Sequence, residues 1–192
     1  MAVSNSLIVA AWATWLAYWT ATAVNNKTVL RRESAASRAV HILPLALAAL
    51  LLCAPLPGMG SARLWPANTI IGWAATVITL IGLLFSMWAR HYLGTNWSGT
   101  VTIKQDHELI TSGPYQFVRH LIYTGLIIAF IGTAMAQGEL RSLLAPLIAT
   151  AAFRRKWLHE ERWMLETFGA QYIAYKARVP ALIPFFRYRH LR

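Results

Sequence analysis

The placement of charged residues constrains this chain more than any single motif does. All 18 Lys and Arg residues and all 7 Asp and Glu residues lie outside four apolar stretches, at residues 1–26, 39–62, 64–89 and 120–138. Each stretch is long enough to cross a hydrocarbon core as a helix, which takes about 20 residues. The pattern therefore predicts an integral membrane protein.

A shorter apolar run at Leu143–Phe153 follows the tight connection at residues 138–142. It predicts a helical hairpin with residues 121–137, and the second helix of this hairpin is expected to continue beyond Phe153, out of the membrane. The predicted fold is therefore an all-α integral membrane protein of about five transmembrane helices, with a cytoplasmic cofactor-binding C-terminal half.

The formal charge of +11 would suggest nucleic acid in a soluble protein. Here the basic residues concentrate in residues 25–39, in residues 89–120 and from Arg154 onward, whereas residues 54–65 and 138–142 carry few. Basic loops lie on the cytoplasmic side, so the N-terminus is expected outside and the C-terminus inside. Aromatic residues do not alternate with the basic ones as single-stranded nucleic acids require. Membrane lipids, and no nucleic acid, are the expected partners.

One membrane domain is expected over residues 1–192. Residues 1–62 would supply the first two spans, and residues 64–192 a catalytic core with spans three to five. Polar side chains capable of chemistry concentrate in two parts of this core, the loop at residues 89–120 and a C-terminal helix at residues 154–176. Three tryptophans of the first span fall on one helical face, and this stripe favours packing over a ligand platform.

The histidines raise the possibility of a metal site. His91, His107 and His120 are spaced by 16 and 13 residues, so no pair shares a helical face, and His159 and Glu160 add no pattern. We therefore predict no metal. Arg119 runs directly into an apolar helix, a costly position that indicates function by default. In the C-terminal helix Lys156 and Glu160 lie one turn apart, a spacing that a solvated amphipathic helix would also show.

Three blocks in order resemble the isoprenylcysteine carboxyl methyltransferase family of membrane enzymes. They read LGTNWSGTV, HELITSGPYQFVRHLIYTG and EERWMLETFGAQYIAYKARVPALIP, and the resemblance extends over roughly residues 88–184. It implies methyl transfer from S-adenosylmethionine, which the C-terminal half would hold on the cytoplasmic side. The acceptor would be lipophilic or membrane-embedded, with a carboxylate, a thiol or an amine as its reacting group.

The resemblance also implies roles for individual residues. Matched by position, the cofactor contacts would be His107, Glu108, Leu109, Ile110, Tyr115, His120, Leu121, Ile122, Tyr123 and Glu160. A basic residue one turn before Glu160 would bind the substrate carboxylate, which points to Lys156 with Arg155 adjacent. Glu160 could pair with the ammonium group of the cofactor, and amides at the start of a helix at Leu121 could receive its carboxylate.

Two positions depart from the family pattern. Leu121 stands where the family usually has the proline of Arg-His-Pro-x-Tyr, so we expect looser local order at this helix start. Lys156 stands where the family often has arginine and offers a point charge rather than a bidentate fork, which leaves the anionic group of the substrate open. An amine or phenol acceptor would need a general base, with His120 or Glu161 as first candidates, whereas a carboxylate or thiolate would need none.

Two other functions compete with methyl transfer. Sterol-reductase-like membrane enzymes share a similar cofactor region but bind NADPH, and they typically have Asn before the tyrosine of the Arg-His motif, where this chain has Ile122. A non-catalytic membrane scaffold gives no reason for three ordered blocks. The sequence gives no indication of the oligomeric state.

Overall fold

The computed structural model describes residues 2–23, 28–54, 62–105 and 108–184. Most of these residues are helical, and two short strands pair with each other. The elements are α1 (Ala2–Thr22), β1 (Val29–Arg32), α2 (Ala35–Cys53), α3 (Thr69–Leu93), β2 (Thr102–Lys104), α4 (Leu121–Gln137), α5 (Leu140–Phe168) and α6 (Ala170–Arg178), with 3-10 turns at Gly94–Asn96 and Gly113–Gln116. The helical fold class is confirmed.

Two stretches of the described residues are long and apolar enough to cross a membrane by themselves. They are α2 and Thr69–Asn96, which contains α3. Helix α4 is apolar but has only 17 residues. The count of five spans therefore stays a prediction, although a helix occupies each predicted position.

Helix α3 buries its small and polar side chains and exposes many of its large apolar ones. Thr79 and Ser86 are completely buried, whereas the side chain of Ile70 is 78% exposed. The buried hydroxyls bond across helices, because Trp15 Nε1 donates to Ser86 Oγ at 2.8 Å. Interhelical hydrogen bonds of this kind are typical of membrane helix bundles, and so large an exposed apolar surface marks a contact with lipid or a partner.

Helices α3 and α4 touch backbone to backbone. A Cβ atom added to Gly82 would lie 2.5 Å from the carbonyl oxygen of Gly125, and one added to Gly125 would lie 2.6 Å from that of Gly82. Small residues permit such close approach between membrane helices. The packing fixes the start of α4 beside the end of α3.

Helices α4 and α5 form the predicted hairpin. Gly138 ends α4 in the left-handed conformation with φ of 64°, and Glu139 caps α5 in a capping box with Ser142. Helix α5 then continues for 29 residues to Phe168, past its apolar first half. Its second half thus carries charged residues toward the start of α4.

A short two-stranded antiparallel ribbon accompanies the helices. Strand β1 pairs with β2, with Arg32 opposite Thr102. The Arg31 guanidinium pairs with Glu166 at 2.7 Å and lies 4.3 Å from the centre of the Trp163 ring. The ribbon therefore joins the two basic loops and rests on the end of α5.

Candidate functional site

A cavity of about 270 Å³ lies where α1 ends and α4 begins. Side chains of α1, α4, α5, α6 and the loops between α3 and α4 surround it. The lining includes most of the residues predicted to contact a cofactor or substrate: Glu108, Leu109, Ile110, Tyr115, His120, Leu121, Ile122, Tyr123, Lys156 and Glu160. His107 lies outside the described residues.

Arg155 is placed differently from its neighbour Lys156. Its Nη1 atom donates to the carbonyl oxygen of Ser37 in α2 at 3.0 Å, and its side chain does not line the cavity. Consecutive residues of a helix point about 100° apart, because 3.6 residues make one turn. The geometry thus places the Arg155 guanidinium between α5 and α2, away from the cavity, and its role as a second substrate-binding base stays a prediction.

The Ser-Gly-Pro-Tyr turn sets Tyr115 against the cavity. Gly113 has φ of 58°, and a Cβ atom there would lie 2.2 Å from the ring of Tyr92, so only glycine fits. The Tyr115 hydroxyl donates to the carbonyl of Ala89 at 3.2 Å, and the Tyr115 carbonyl accepts from the Tyr175 hydroxyl at 2.7 Å. Burial raises the pKa of Tyr115 well above its ordinary value, so this phenol stays neutral and presents its ring.

Glu160 faces the cavity with part of its bonding capacity free. Its Oε1 atom accepts a hydrogen bond of 2.6 Å from the Tyr123 hydroxyl. Its Oε2 atom lies 4.0 Å from His120 Nδ1, which is beyond hydrogen-bonding distance, and the side chain is 23% exposed. A cationic ligand group could pair with this carboxylate.

Glu161, the next residue, is fully occupied by the protein. Its carboxylate contacts Arg119 Nη2 at 2.7 Å, His120 Nε2 at 2.9 Å and Lys176 Nζ at 2.6 Å. Burial alone would raise the pKa of Glu161, but hydrogen bonds and the charge of these partners outweigh burial and hold the pKa well below its usual value. The geometry therefore disfavours Glu161 as the general base and makes it an anchor between α4, α5 and α6.

The segment after α6 is hydrogen-bonded to the residues just before α4. The amides of Arg119 and His120 each donate at 3.0 Å, to the carbonyls of Pro180 and Ala181 respectively. The next amides, which begin at Leu121, have no acceptor inside α4, since the first turn of a helix leaves its N–H groups unpaired. Because Leu121 lines the cavity, this helix start is suited to an anionic ligand group.

Lys156 reaches the cavity from α5. Its Nζ atom donates to the carbonyl of Gly99 at 2.9 Å and lies 5.6 Å from the centre of the Tyr123 ring. An ammonium group has three donors, so a ligand could still bind here. The cavity thus places one cation and one carboxylate a turn apart on the same helix face.

A family model for the isoprenylcysteine carboxyl methyltransferases matches residues 74–167. These residues include the end of α3, the cavity loops, α4 and nearly all of α5. The match spans just under half of the chain, and over these residues the chain is similar to the isoprenylcysteine carboxyl methyltransferases. The resemblance seen in the three sequence blocks is thereby confirmed.

Individual members of this family are similar over the same region. A protein-S-isoprenylcysteine O-methyltransferase of Schizosaccharomyces pombe is 37% identical over 94 residues, which is 47% of this chain and 40% of the relative. The B enzyme of Arabidopsis thaliana is 30% identical over 48% of each chain, and the Rattus norvegicus enzyme 30% identical over 64% of this chain and 45% of its own. The chain thus spans about half the length, or less, of these curated relatives.

The fold has a counterpart among solved structures. The eukaryotic intramembrane Ras methyltransferase ICMT superposes with a TM-score of 0.57 at 22% identity, over 81% of this chain and 55% of that one. At this identity the likeness concerns the fold alone. Together with the apolar helices and their exposed faces, this shared fold indicates an integral membrane protein.

Three tryptophans form an aromatic part of the cavity wall. Trp15 and Trp19 stack with ring centres 4.5 Å apart, and Trp19 meets the edge of Trp97 at 5.1 Å. All three line the cavity. The tryptophan stripe predicted to serve packing does pack, and it also forms part of the site. Trp15 and Trp19 lie outside the segment that matches the family model.

Sequence reasoning missed two polar groups of the site. Asn96 Oδ1 and Thr102 Oγ1 are buried, and neither has a hydrogen-bond partner in the described part of the chain. Both residues line the cavity. Their only sequence signal is position, since Asn96 lies in the LGTNWSGTV block and Thr102 directly follows it. Within the described ranges, no group of three or more His, Cys, Asp or Glu side chains could hold a metal ion.

Proposed function

We propose that this chain is an S-adenosylmethionine-dependent methyltransferase with a lipophilic or membrane-embedded acceptor. The observation that carries the proposal is the cavity, whose lining combines the carboxylate of Glu160, the ammonium of Lys156 and several aromatic rings. Most of it is built by the segment that matches the family model. A polar donor and an apolar acceptor can meet in a site of this shape.

The residues present fit this cofactor. Glu160 would pair with its ammonium group, and the first amides of α4 would receive its carboxylate. The rings of Tyr115 and Tyr123 offer faces for the adenine or the sulfonium. The buried oxygens of Asn96 and Thr102 could accept hydrogen bonds from it, and an unpaired buried polar group is costly until a ligand satisfies it.

When bound, S-adenosylmethionine supplies an electrophilic methyl group. The chain's own contribution is to align the acceptor, to exclude water with the aromatic wall and to bind an anionic acceptor group through Lys156. Alignment of this kind can lower a barrier by several kcal/mol. A carboxylate or thiolate acceptor needs no general base. For an amine, His120 is the remaining candidate, because Glu161 is engaged by its three partners.

The relatives' names suggest a finer form of the acceptor. They are protein-S-isoprenylcysteine O-methyltransferases, so we propose that the reacting group here is the carboxylate of a prenylated cysteine. Ligand pockets are commonly about 300–1,000 Å³, and this cavity is slightly smaller. A long apolar chain would therefore extend beyond it, between the helices and into the lipid.

The same geometry supports a cytoplasmic site. The end of α1, the start of α4 and the charged half of α5 line the cavity together with residues of the basic loop between α3 and α4. Basic loops lie on the cytoplasmic side. We therefore place the cavity and the C-terminus in the cytoplasm and the N-terminus outside.

Calorimetry on the detergent-purified protein, with S-adenosylmethionine and NADPH as separate ligands, tests this function. We expect binding of S-adenosylmethionine at about one per chain and none of NADPH. Binding of NADPH alone would instead support the reductase-like reading. A protein that binds neither would support a non-catalytic scaffold, and both of these outcomes would overturn the proposal.

A further inference from the structure

Glu33 is a buried carboxylate outside the segment that matches the family model. It lies between β1 and α2, and its side chain is 1% exposed. Its Oε1 atom accepts a 3.1 Å hydrogen bond from the amide of Val101, and its own amide donates to the Val101 carbonyl at 3.0 Å. Ser37 Oγ donates to Glu33 Oε2 at 3.0 Å, and His41 Nε2 lies 3.6 Å from Oε1.

The residue held by Glu33 belongs to a segment that covers the cavity. Residues 97–101, here called the cover segment, all line it. Lys156 Nζ also binds the Gly99 carbonyl, and the Trp97 ring packs against the Arg90 guanidinium at 4.0 Å and the Trp19 ring at 5.1 Å. Glu33 supplies hydrogen bonds that tie the cover segment to the chain between β1 and α2.

We propose that Glu33 is a positioning residue that holds the cover segment closed over the cavity. Hydrogen bonds to a charged group are roughly twice as strong as neutral ones, and a buried amide that loses its acceptor bears the full cost of desolvation. Loss of the carboxylate thus leaves the amide of Val101 without its acceptor, while the backbone bond from the amide of residue 33 remains there, so the cover segment opens more often. A ligand in the cavity would then escape faster, although no group that contacts it has changed.

Hydrogen exchange tests the anchor without any ligand. In Glu33→Ala we expect amides of the cover segment to exchange roughly tenfold faster than in the wild type, with α4 unchanged. Glu33→Gln keeps an acceptor for Val101 and should restore part of the protection. Glu139→Gln is the matched control, because Glu139 caps the opposite end of α5 and pairs there with Arg141. Equal exchange in the wild type and the folded Glu33 variants would overturn the proposal, as would an equal rise in Glu139→Gln.

A second readout rests on the proposed function. In Glu33→Ala, the dissociation constant and KM of S-adenosylmethionine should rise about tenfold, while kcat changes much less. A proportional fall in active enzyme, with KM unchanged, would show a merely structural role and contradict the proposal. If Glu33→Ala does not fold, Glu33→Gln carries both tests. If the wild type binds no S-adenosylmethionine, the proposed function fails, and the exchange comparison still decides the role of Glu33.

Discussion

The two faces of the charged half of α5 differ although their residues are adjacent. On one face Glu161 is 6% exposed and holds Arg119, His120 and Lys176. On the other face Glu160 is 23% exposed and has one hydrogen bond, from Tyr123. The carboxylate of Glu161, which is fully paired within the protein, therefore stabilises the fold. The carboxylate of Glu160, which is only partly paired and faces the cavity, is available to a ligand.

The largest expected effect is a loss of stability when the charge of Glu161 is removed. Glu161→Gln leaves Arg119 and Lys176 without their anion, and breaking a buried ion pair from one side costs about 3 kcal/mol or more. The free energy of unfolding should fall by that amount, which thermal unfolding in detergent measures. Glu166→Gln is the control, since its pair with Arg31 is exposed and should contribute less than about 1 kcal/mol. Equal losses in the two variants would contradict the comparison.

The same carboxylate predicts an acid-sensitive contribution to stability. The folded state holds the pKa of Glu161 below its unfolded value, which is about 4.3 for glutamate. Its contribution is therefore fully present above the unfolded pKa and is lost as the pH falls below it toward the folded pKa. The difference in melting temperature between wild type and Glu161→Gln should narrow as the pH is lowered from about 7 to about 3. A difference in melting temperature that stays constant over this pH range would show that the carboxylate of Glu161 does not cause the acid sensitivity.

On the cavity face, Glu160→Gln should damage ligand binding more than stability. Removal of a buried charge partner costs about 2 kcal/mol or more, which corresponds to roughly a 30-fold weaker affinity. Calorimetry with S-adenosylmethionine measures this loss, and thermal unfolding should show a much smaller change than in Glu161→Gln. Unchanged affinity would remove Glu160 from the proposed cofactor site.

Lys156→Met distinguishes acceptor binding from cofactor binding on the cavity face. Methionine keeps the length and apolar stem of lysine but removes the charge. We expect the KM of an anionic prenylated acceptor to rise roughly tenfold, in the range of a lost charge-assisted hydrogen bond, with cofactor affinity within about twofold of the wild type. Arg155→Met, which changes the neighbour that faces α2, should leave the acceptor KM unchanged. A similar KM in both variants would contradict the assignment of Lys156.

The smallest expected effect is a change in cofactor affinity when the hydroxyl of Thr102 is removed. Thr102→Val removes the buried hydroxyl and keeps the shape, so the unliganded protein should be as stable as the wild type or slightly more stable. Cofactor affinity should fall by a few-fold, because one neutral hydrogen bond is worth about 1 kcal/mol. A loss of stability without a change of affinity would assign the hydroxyl to the fold instead.

Periodicity and charge placement predicted most of the helical elements, but the helix expected over residues 154–176 is broken at Gly169, where α5 ends and α6 follows. The charge-free stretches predicted where the long helices lie, and the run from Leu143 predicted that α5 would continue past Phe153, as it does. The ribbon was not predictable in this way. Its strands have four and three residues, and they pair across some 70 residues of chain, so no local pattern marks them.

The site was predictable where side-chain type and family blocks coincide. Lys156 and Glu160 share a face by helical spacing, and the structure places both at the cavity. The spacing did not show that Arg155 points toward Ser37 or that the carboxylate of Glu161 is fully paired within the protein. Both facts depend on partners from distant elements. The position of Trp15 at the cavity was not predictable either, because it depends on which distant elements pack against that face of α1.

We propose that methyl transfer to a lipophilic acceptor takes place in this cavity. The most direct measurement incubates the purified protein with methyl-labelled S-adenosylmethionine and a membrane lipid extract, then separates the products by chromatography. We expect label in the lipid-soluble fraction with the wild type and with Glu166→Gln, and roughly 30-fold less with Glu160→Gln. Label found only in water-soluble acceptors, or equal labelling by the Glu160 variant, would contradict it.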